Sequence, residues 1–292
     1  MRKDTYTNRK RKTQKKKIFK KLTCNSAKKS KKYTCYTNSS LHKLKDLWNK
    51  RHPEQRINTN NSIAIWKQLK YHLSNVCNNE KCWLKQQFVK FNLDNKLRNH
   101  TFAPVTPKSW KKNPREWLSS LDLLKVMKQY EKIHKDFAFI GPSPIDYDTR
   151  KMFGMCVWND LCNFNLNTYI SKKITKIGII FNLDPHYKGG SHWVCLFIDL
   201  NKKFVFYFDS NGAKIPRQIK KCANMIMKQS TTPLKFVENH PLRHQSYNTE
   251  CGIYVLYVIT SLVKETKPYS YFMKNRIKDI EMFKLRKKYF NI

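Results

Sequence analysis

The stretch from Ser191 to Cys251 constrains this chain more than any other. It holds a His-Trp pair (His192, Trp193), an Asp-Ser pair (Asp209, Ser210), Gln245 and a Cys-Gly pair (Cys251, Gly252). These side chains include a nucleophile, a base, a carboxylate to orient the base and an amide to donate to an oxyanion. That is the set thiol-dependent acyl transfer requires. The local sequence also suggests how each group is presented. Lys176 to Leu183 is short and rich in β-branched residues, which predicts a strand. Trp193 to Leu200 and Lys203 to Asp209 predict two more, joined by Asn201-Lys202 as a hairpin. His192 follows the Lys188-Gly189-Gly190 turn and precedes the first hairpin strand, while Asp209 closes the second. Antiparallel neighbours of this length bring Asp209 beside His192, where a carboxylate fixes the imidazole tautomer.

Cys251 opens an apolar run to Val263 whose length favours a helix, although its Ile and Val content also suits a strand. On a helix the thiol sits at the N-terminus, where unpaired N–H groups and the dipole favour thiolate. Gln245 lies six residues earlier in a polar loop, placed to donate to an oxyanion alongside the Cys251 backbone N–H. Taken singly, each residue has a plainer reading: a buried inert cysteine, a surface histidine, a turn-forming aspartate, a loop glutamine. The joint spacing changes that, with His192 to Asp209 seventeen residues apart and Gln245 to Cys251 six.

This order and spacing, with His-Trp, Asp-Ser and Gln-x5-Cys-Gly, resembles the SUMO-deconjugating cysteine proteases. That family includes adenain-like and large-DNA-virus polyprotein-processing members, among them the African swine fever virus type. The resemblance runs from about Trp117 to Val263. It implies an α+β protease fold carrying an N-terminal helical extension, and a His192–Asp209–Cys251 triad with Gln245 in the oxyanion hole. It also implies that Trp193 lines a narrow channel for a Gly-Gly substrate. Trp117-Leu118 is similar to the family's Trp-Leu element, so Trp117 is either the opposite channel wall or an ordinary core tryptophan. In SUMO-specific members this element continues Asn-Asp, and the acid helps engage the ubiquitin-like protein. Here Ser119-Ser120 follow, and the first acid is Asp122. Trp158-Asn159-Asp160 lacks the Leu and lies much closer to His192. Both departures, with the basic tail and Lys/Asn-rich composition, point to the viral members. For those the implied task is cleavage of structural polyproteins after Gly-Gly during virion assembly, in the virion and host cytoplasm. A SUMO or ubiquitin-like-protein deconjugase is the alternative enzyme. A non-catalytic nucleic-acid-binding virion protein is the alternative of a different class.

The net charge of +39 is unevenly spread: residues 1–32 hold fifteen Lys/Arg against one acid, Asp4. Such a segment buries too little apolar surface to offset its ordering entropy, so 1–40 is expected to be a disordered basic tail. It reads as a polyanion-binding segment for DNA or RNA, as a nuclear address or as a solubilising tail; any nucleic-acid binding would be backbone-directed and salt-sensitive. Residues 41–104 are expected to form a helical arm, from stripes at Leu41, Leu44, Leu47 and Trp48, at Ile63, Trp66, Leu69, Leu73 and Val76, and at Trp83, Leu84, Phe88 and Phe91. Prolines 104, 107 and 114 then lead into a protease domain over 105–292, where Leu121, Leu124, Met127 and Tyr130 predict a first helix. Ile215 to Met227 predicts another, and Leu234 to Val237 a short strand.

Nine cysteines without an apolar signal core predict thiols that are free or catalytic rather than bridged. Cys77-x4-Cys82 and Cys156-x5-Cys162 could be halves of metal sites, but neither has a partner pair at zinc-ligand spacing, so no metal is expected. There is no phosphate-binding glycine loop, no cofactor is expected, and the Gly252–Val263 run is too short to span a bilayer.

Overall fold

The computed structural model describes residues 18–90 and 101–291. The chain divides into two compact units, Met1–Leu22 with Ser30–Phe102, and Thr23–Lys29 with Ala103–Ile292. In the smaller unit the helices Asn38–Arg51 and Ser62–His72 start at Thr37 and Asn61, whose side chains accept from the backbone N–H groups of Ser40 and of Ile63 and Ala64. Two single turns, Glu80–Trp83 and Gln87–Lys90, follow. Leu41, Leu44, Trp48, Ile65, Leu69, Leu73, Trp83 and Phe88 make the core. The second stripe is rotated from expectation: Ile63 and Val76 are exposed, and Ile65 turns inward instead. Phe91 lies outside the described residues.

The expectation of a disordered tail over 1–40 needs correction in part. Residues 1–17 lie outside the described residues. Between the following lysines, however, Phe19, Leu22, Tyr33 and Tyr36 supply apolar surface to the small unit's core. The Tyr36 ring stacks on Trp83 with centroids 5.9 Å apart, and its hydroxyl donates to the Glu80 carbonyl at 2.7 Å. A count of charges misses these aromatics. The thiols also differ from expectation. Cys77–Cys82 and Cys156–Cys162 are disulfides, each closed over a local turn with Cα atoms 5.5 and 6.2 Å apart, so neither pair is a metal half-site.

The larger unit is α+β, built on a five-stranded sheet in the order β1-β2-β3-β4-β5. The strands are β1 (Phe137–Pro144), β2 (Lys176–Asn182), β3 (Trp193–Asp199), β4 (Phe204–Phe208) and β5 (Lys235–Glu238). The inner pairs β2/β3 and β3/β4 are antiparallel, and β1 and β5 add parallel at the edges. Both faces are covered, and the period of two shows in the sequence. Trp193, Cys195 and Phe197 of β3, with Phe204, Phe206 and Phe208 of β4, face the Cys251–Val263 helix. Val194, Leu196 and Ile198, with Val205 and Tyr207, face the Arg217–Gln229 helix on the other side. The Cys251–Val263 helix is apolar all round because it is buried all round, between the sheet, the Ser120–Ile133 helix and the C-terminal Asp279–Tyr289 helix.

The hairpin, the Arg217–Gln229 helix and the Cys251 helix form where the sequence predicts them. On the Ser120–Ile133 helix the buried apolar positions are Leu123, Val126, Met127 and Tyr130, while Leu121 is exposed. The strand β1 carries no clear alternation, and its Gly141, Pro142 and Pro144 disguise it. Among the described residues no helix is long and apolar enough to cross a membrane.

Candidate active site

The hairpin delivers the first pair. Cys195 pairs with Phe208 at the last rung of the β3/β4 ladder, so His192 and Asp209 leave the sheet together at that end. His192 Nε2 lies 2.6 Å from Asp209 Oδ1. Asp209 is buried and held from several directions. Its N–H donates to Asn239 Oδ1 and its carbonyl accepts from Asn239 Nδ2, both at 2.8 Å, while Oδ1 also accepts the Asn211 N–H at 2.8 Å. With Nε2 committed to Asp209, Nδ1 is the ring nitrogen left for a reacting group, and Cys251 is near enough to the imidazole to influence its proton affinity. Burial works against charge on His192. Its hydrogen bonds to Asp209 and Cys251, and their negative charges, outweigh that and push its pKa up to about 9.

Cys251 is the first residue of its helix, where backbone N–H groups have no intrahelical partner. The other two described free thiols, Cys195 and Cys222, are buried among apolar side chains. Burial pushes both up, Cys222 to about 12, so neither is a nucleophile at neutral pH. Gln245 is buried, and its Oε1 accepts the Ser210 hydroxyl at 2.8 Å. The Gln245 N–H in turn donates to the Ser210 carbonyl at 2.8 Å. Fixing the amide oxygen in this way leaves the Nε2 hydrogens as the donors available to a reacting carbonyl.

Trp193 Nε1 donates to the Leu118 carbonyl at 2.9 Å, which ties the His-Trp segment to the Trp-Leu element. Trp117 is 38% exposed and is no core residue; with Trp193 it lines a cavity of about 580 Å³. Gly252 permits this approach: a Cβ there would sit 2.9 Å from Leu118 Cβ. Asp122 is spent locally. It forms a capping box with Ser119, accepting from the Ser119 N–H at 3.0 Å and its hydroxyl at 2.7 Å, and is buried.

Several supporting residues carry no motif and escape sequence reading. Arg286 is buried and bridges the Cys251 and Trp117 segments. Its Nε donates to Glu250 Oε2 at 2.8 Å, Nη1 to the Glu116 carbonyl at 2.8 Å and Nη2 to the Thr249 carbonyl at 3.2 Å. Asp279 accepts from the N–H groups of Ser246 and Tyr247, both at 2.9 Å, and from the Tyr254 hydroxyl at 2.9 Å. The C-terminal segment thus braces the loop carrying Gln245 and the start of the Cys251 helix. A buried ion pair more than thirty residues apart in sequence leaves no local signal; the adjacency of Glu250 to Cys251 is the sole hint.

Residues 158–292, which contain His192, Asp209, Gln245 and Cys251, match the Ulp1 protease family, C-terminal catalytic domain. Over these residues the chain is similar to the Ulp1 cysteine proteases. The chain is 27% identical over 230 residues to a protein of Acanthamoeba polyphaga mimivirus named as a thiol protease, a match covering 77% of this chain and 74% of that one. It is 30% identical over 129 residues to the SUMO-1 cysteine protease of African swine fever virus, covering 42% of this chain and 46% of that protein. It therefore spans about half the length of that relative. The crystal structure of an African swine fever virus protease superposes with a TM-score of 0.64 at 20% identity, over 93% of this chain and 96% of that one, so the two share a fold. The α+β Ulp1-type fold and the cysteine-protease class expected from the motifs therefore hold.

Proposed function

We propose that this Ulp1-like cysteine protease is an endopeptidase that cuts after Gly-Gly in viral structural polyproteins during virion maturation. The observation that carries the reading is the meeting of His192, Asp209 and Cys251 beside a Gln245 amide whose oxygen is already engaged by Ser210. In this reading Cys251 Sγ attacks the carbonyl carbon of the second glycine while His192 holds the thiol proton. Gln245 Nε2 and the Cys251 N–H take the oxyanion of the tetrahedral intermediate. Collapse breaks the C–N bond, and His192 passes its proton to the leaving amine. A water molecule, deprotonated by His192, then attacks the thioester, and the thiolate departs from the second intermediate. Asp209 keeps the imidazole oriented throughout. Trp117 and Trp193 flank the approach, where glycine backbone passes and larger side chains clash.

The relative named as a SUMO-1 cysteine protease supports a second reading, a deconjugase of ubiquitin-like proteins. Against it, Ser119-Ser120 stand where an acid would engage such a partner, and Asp122 is consumed in capping. The net charge of +39 supports backbone-directed binding to DNA or RNA as an accessory property, with residues 1–17 contributing nine Lys/Arg. The test is hydrolysis of Gly-Gly-X peptides against SUMO- and ubiquitin-derived reporters. Peptide cleavage supports polyprotein processing. Turnover of the SUMO reporter alone transfers the assignment to the deconjugase, and salt-dependent DNA binding without any turnover transfers it to a nucleic-acid-binding role.

A further inference from the structure

Residues 150–156 form a short hairpin outside the catalytic set. The Lys151 N–H donates to the Met155 carbonyl at 2.7 Å, the Gly154 N–H to the Lys151 carbonyl at 3.1 Å, and Arg150 Nη1 to the Gly154 carbonyl at 2.8 Å. Arg150 and Cys156 form a bridge, and Cys156 is bonded to Cys162. This well-tied turn holds three large apolar side chains in water: Met152 is 78% exposed, Phe153 91% and Met155 64%. Phe153 also has φ of 62°, a left-handed conformation that a bulky side chain adopts only when its surroundings impose it. Folding alone does not account for an aromatic ring held outward at an unfavourable backbone angle.

The position of the hairpin supplies a reason. Lys151 at its foot, with Val157 and Trp158 just beyond it, lines the same cavity of about 580 Å³ that Trp117 and Trp193 line, whereas neither His192 nor Cys251 does. The cavity therefore joins the tryptophan pair to the foot of the hairpin, while the tip residues Met152, Phe153 and Met155 stand outside its lining. In the Gly-Gly reading, a substrate that passes the tryptophan pair has this cavity open to its preceding residues. We propose that the Met152–Met155 tip is an exosite, an apolar clamp for the substrate segment upstream of Gly-Gly, and that it selects Leu, Phe or Met side chains there. The proposal rests on the Gly-Gly reading of the channel. It needs only what the tip presents, apolar surface with flexible thioethers that adapt to varied side chains.

The experiment compares two reporters, one starting two residues before Gly-Gly and one extended upstream by ten residues containing Leu and Phe. A third carries serine at those apolar positions. In the wild-type enzyme the apolar extension should lower KM about tenfold, with kcat little changed; such a gain equals about 1.4 kcal/mol of binding. The triple variant Met152→Ser/Phe153→Ser/Met155→Ser should keep wild-type kinetics and Tm on the short reporter and lose that gain, and Phe153→Leu should retain it. The proposal is overturned if the triple variant keeps the gain, if the serine extension gives the same gain, or if both reporters lose activity together. It is equally overturned if the triple variant changes only the sedimentation coefficient, which would assign the tip to self-association. Failure of the wild-type enzyme to cut the short reporter is a different result and rejects the Gly-Gly reading itself.

Discussion

At the scale of single residues, catalysis depends on which atoms are already committed. Ser210 holds the Gln245 amide oxygen, and Asp209 holds His192 Nε2, so each group presents one defined face to the reaction. Gln245→Ala should lower kcat about a hundredfold or more with KM little changed, the cost of removing one oxyanion donor. An unchanged kcat would take the residue out of the mechanism. Ser210→Ala, which frees the amide to rotate, should give a smaller loss in kcat in the same direction. The raised His192 pKa fixes the sign of a pH effect. The imidazole keeps its proton until the pH passes about 9, so kcat/KM should fall on the alkaline side there. Asp209→Asn removes a group that raises this pKa, so the alkaline limb should move to lower pH in a rate profile; a limb that stays put would deny Asp209 its role. Stability follows the same sign: the His192 contribution is full below its unfolded pKa near 6.5 and is lost as pH rises through about 9. Buried His244 acts oppositely. Burial lowers its pKa, and its Nδ1 accepts the Ile277 N–H at 3.2 Å, so its contribution is lost as pH falls below about 6.5.

At the scale of elements, two contacts set how the Cys251 helix meets its neighbours. Gly252→Ala would place a Cβ 2.9 Å from Leu118 Cβ, an atom too close to its own backbone to swing aside. Overpacking of this kind costs about 1–3 kcal/mol, and the displaced Trp117-Leu118 element should also raise KM. Arg286→Met leaves Glu250 buried and unpaired. Thermal unfolding should reveal a loss of about 3–5 kcal/mol, with activity reduced because the loop before Cys251 loses its anchor. A variant as stable as wild type would show the brace to be incidental. These elements also show what the sequence makes legible. The β3/β4 hairpin and the Cys251 helix announce themselves because their alternation and length match their burial. β1 does not, since its glycine and prolines mask a strand that adds parallel at the edge of the sheet. The residues of the candidate site were legible through their spacing. Arg286 and Asp279 were not, because what matters in them is a tertiary contact to Glu250 and to the 246–247 backbone.

At the scale of the whole molecule, charge and thiols behave differently from what composition alone suggests. The lysines at residues 20–32 are interspersed with or flanked by side chains that pack, so the expected tail becomes partly structure. The cysteine pairs close locally rather than reach for metal. With a net charge of +39, affinity for duplex DNA should fall steeply between about 50 and 200 mM salt, and removal of residues 1–17 should reduce the slope of log affinity against log salt. A slope unaffected by that deletion would place the binding surface in the folded units. Catalysis is tested by cleavage of a Gly-Gly-X peptide by the full chain, with the cut bond located by mass spectrometry and Cys251→Ala as the comparison. A single cut after the second glycine is expected, with no turnover by a Cys251→Ala protein of unchanged fold. Hydrolysis by that variant at a rate near wild type, or a cut elsewhere in the peptide, would contradict it.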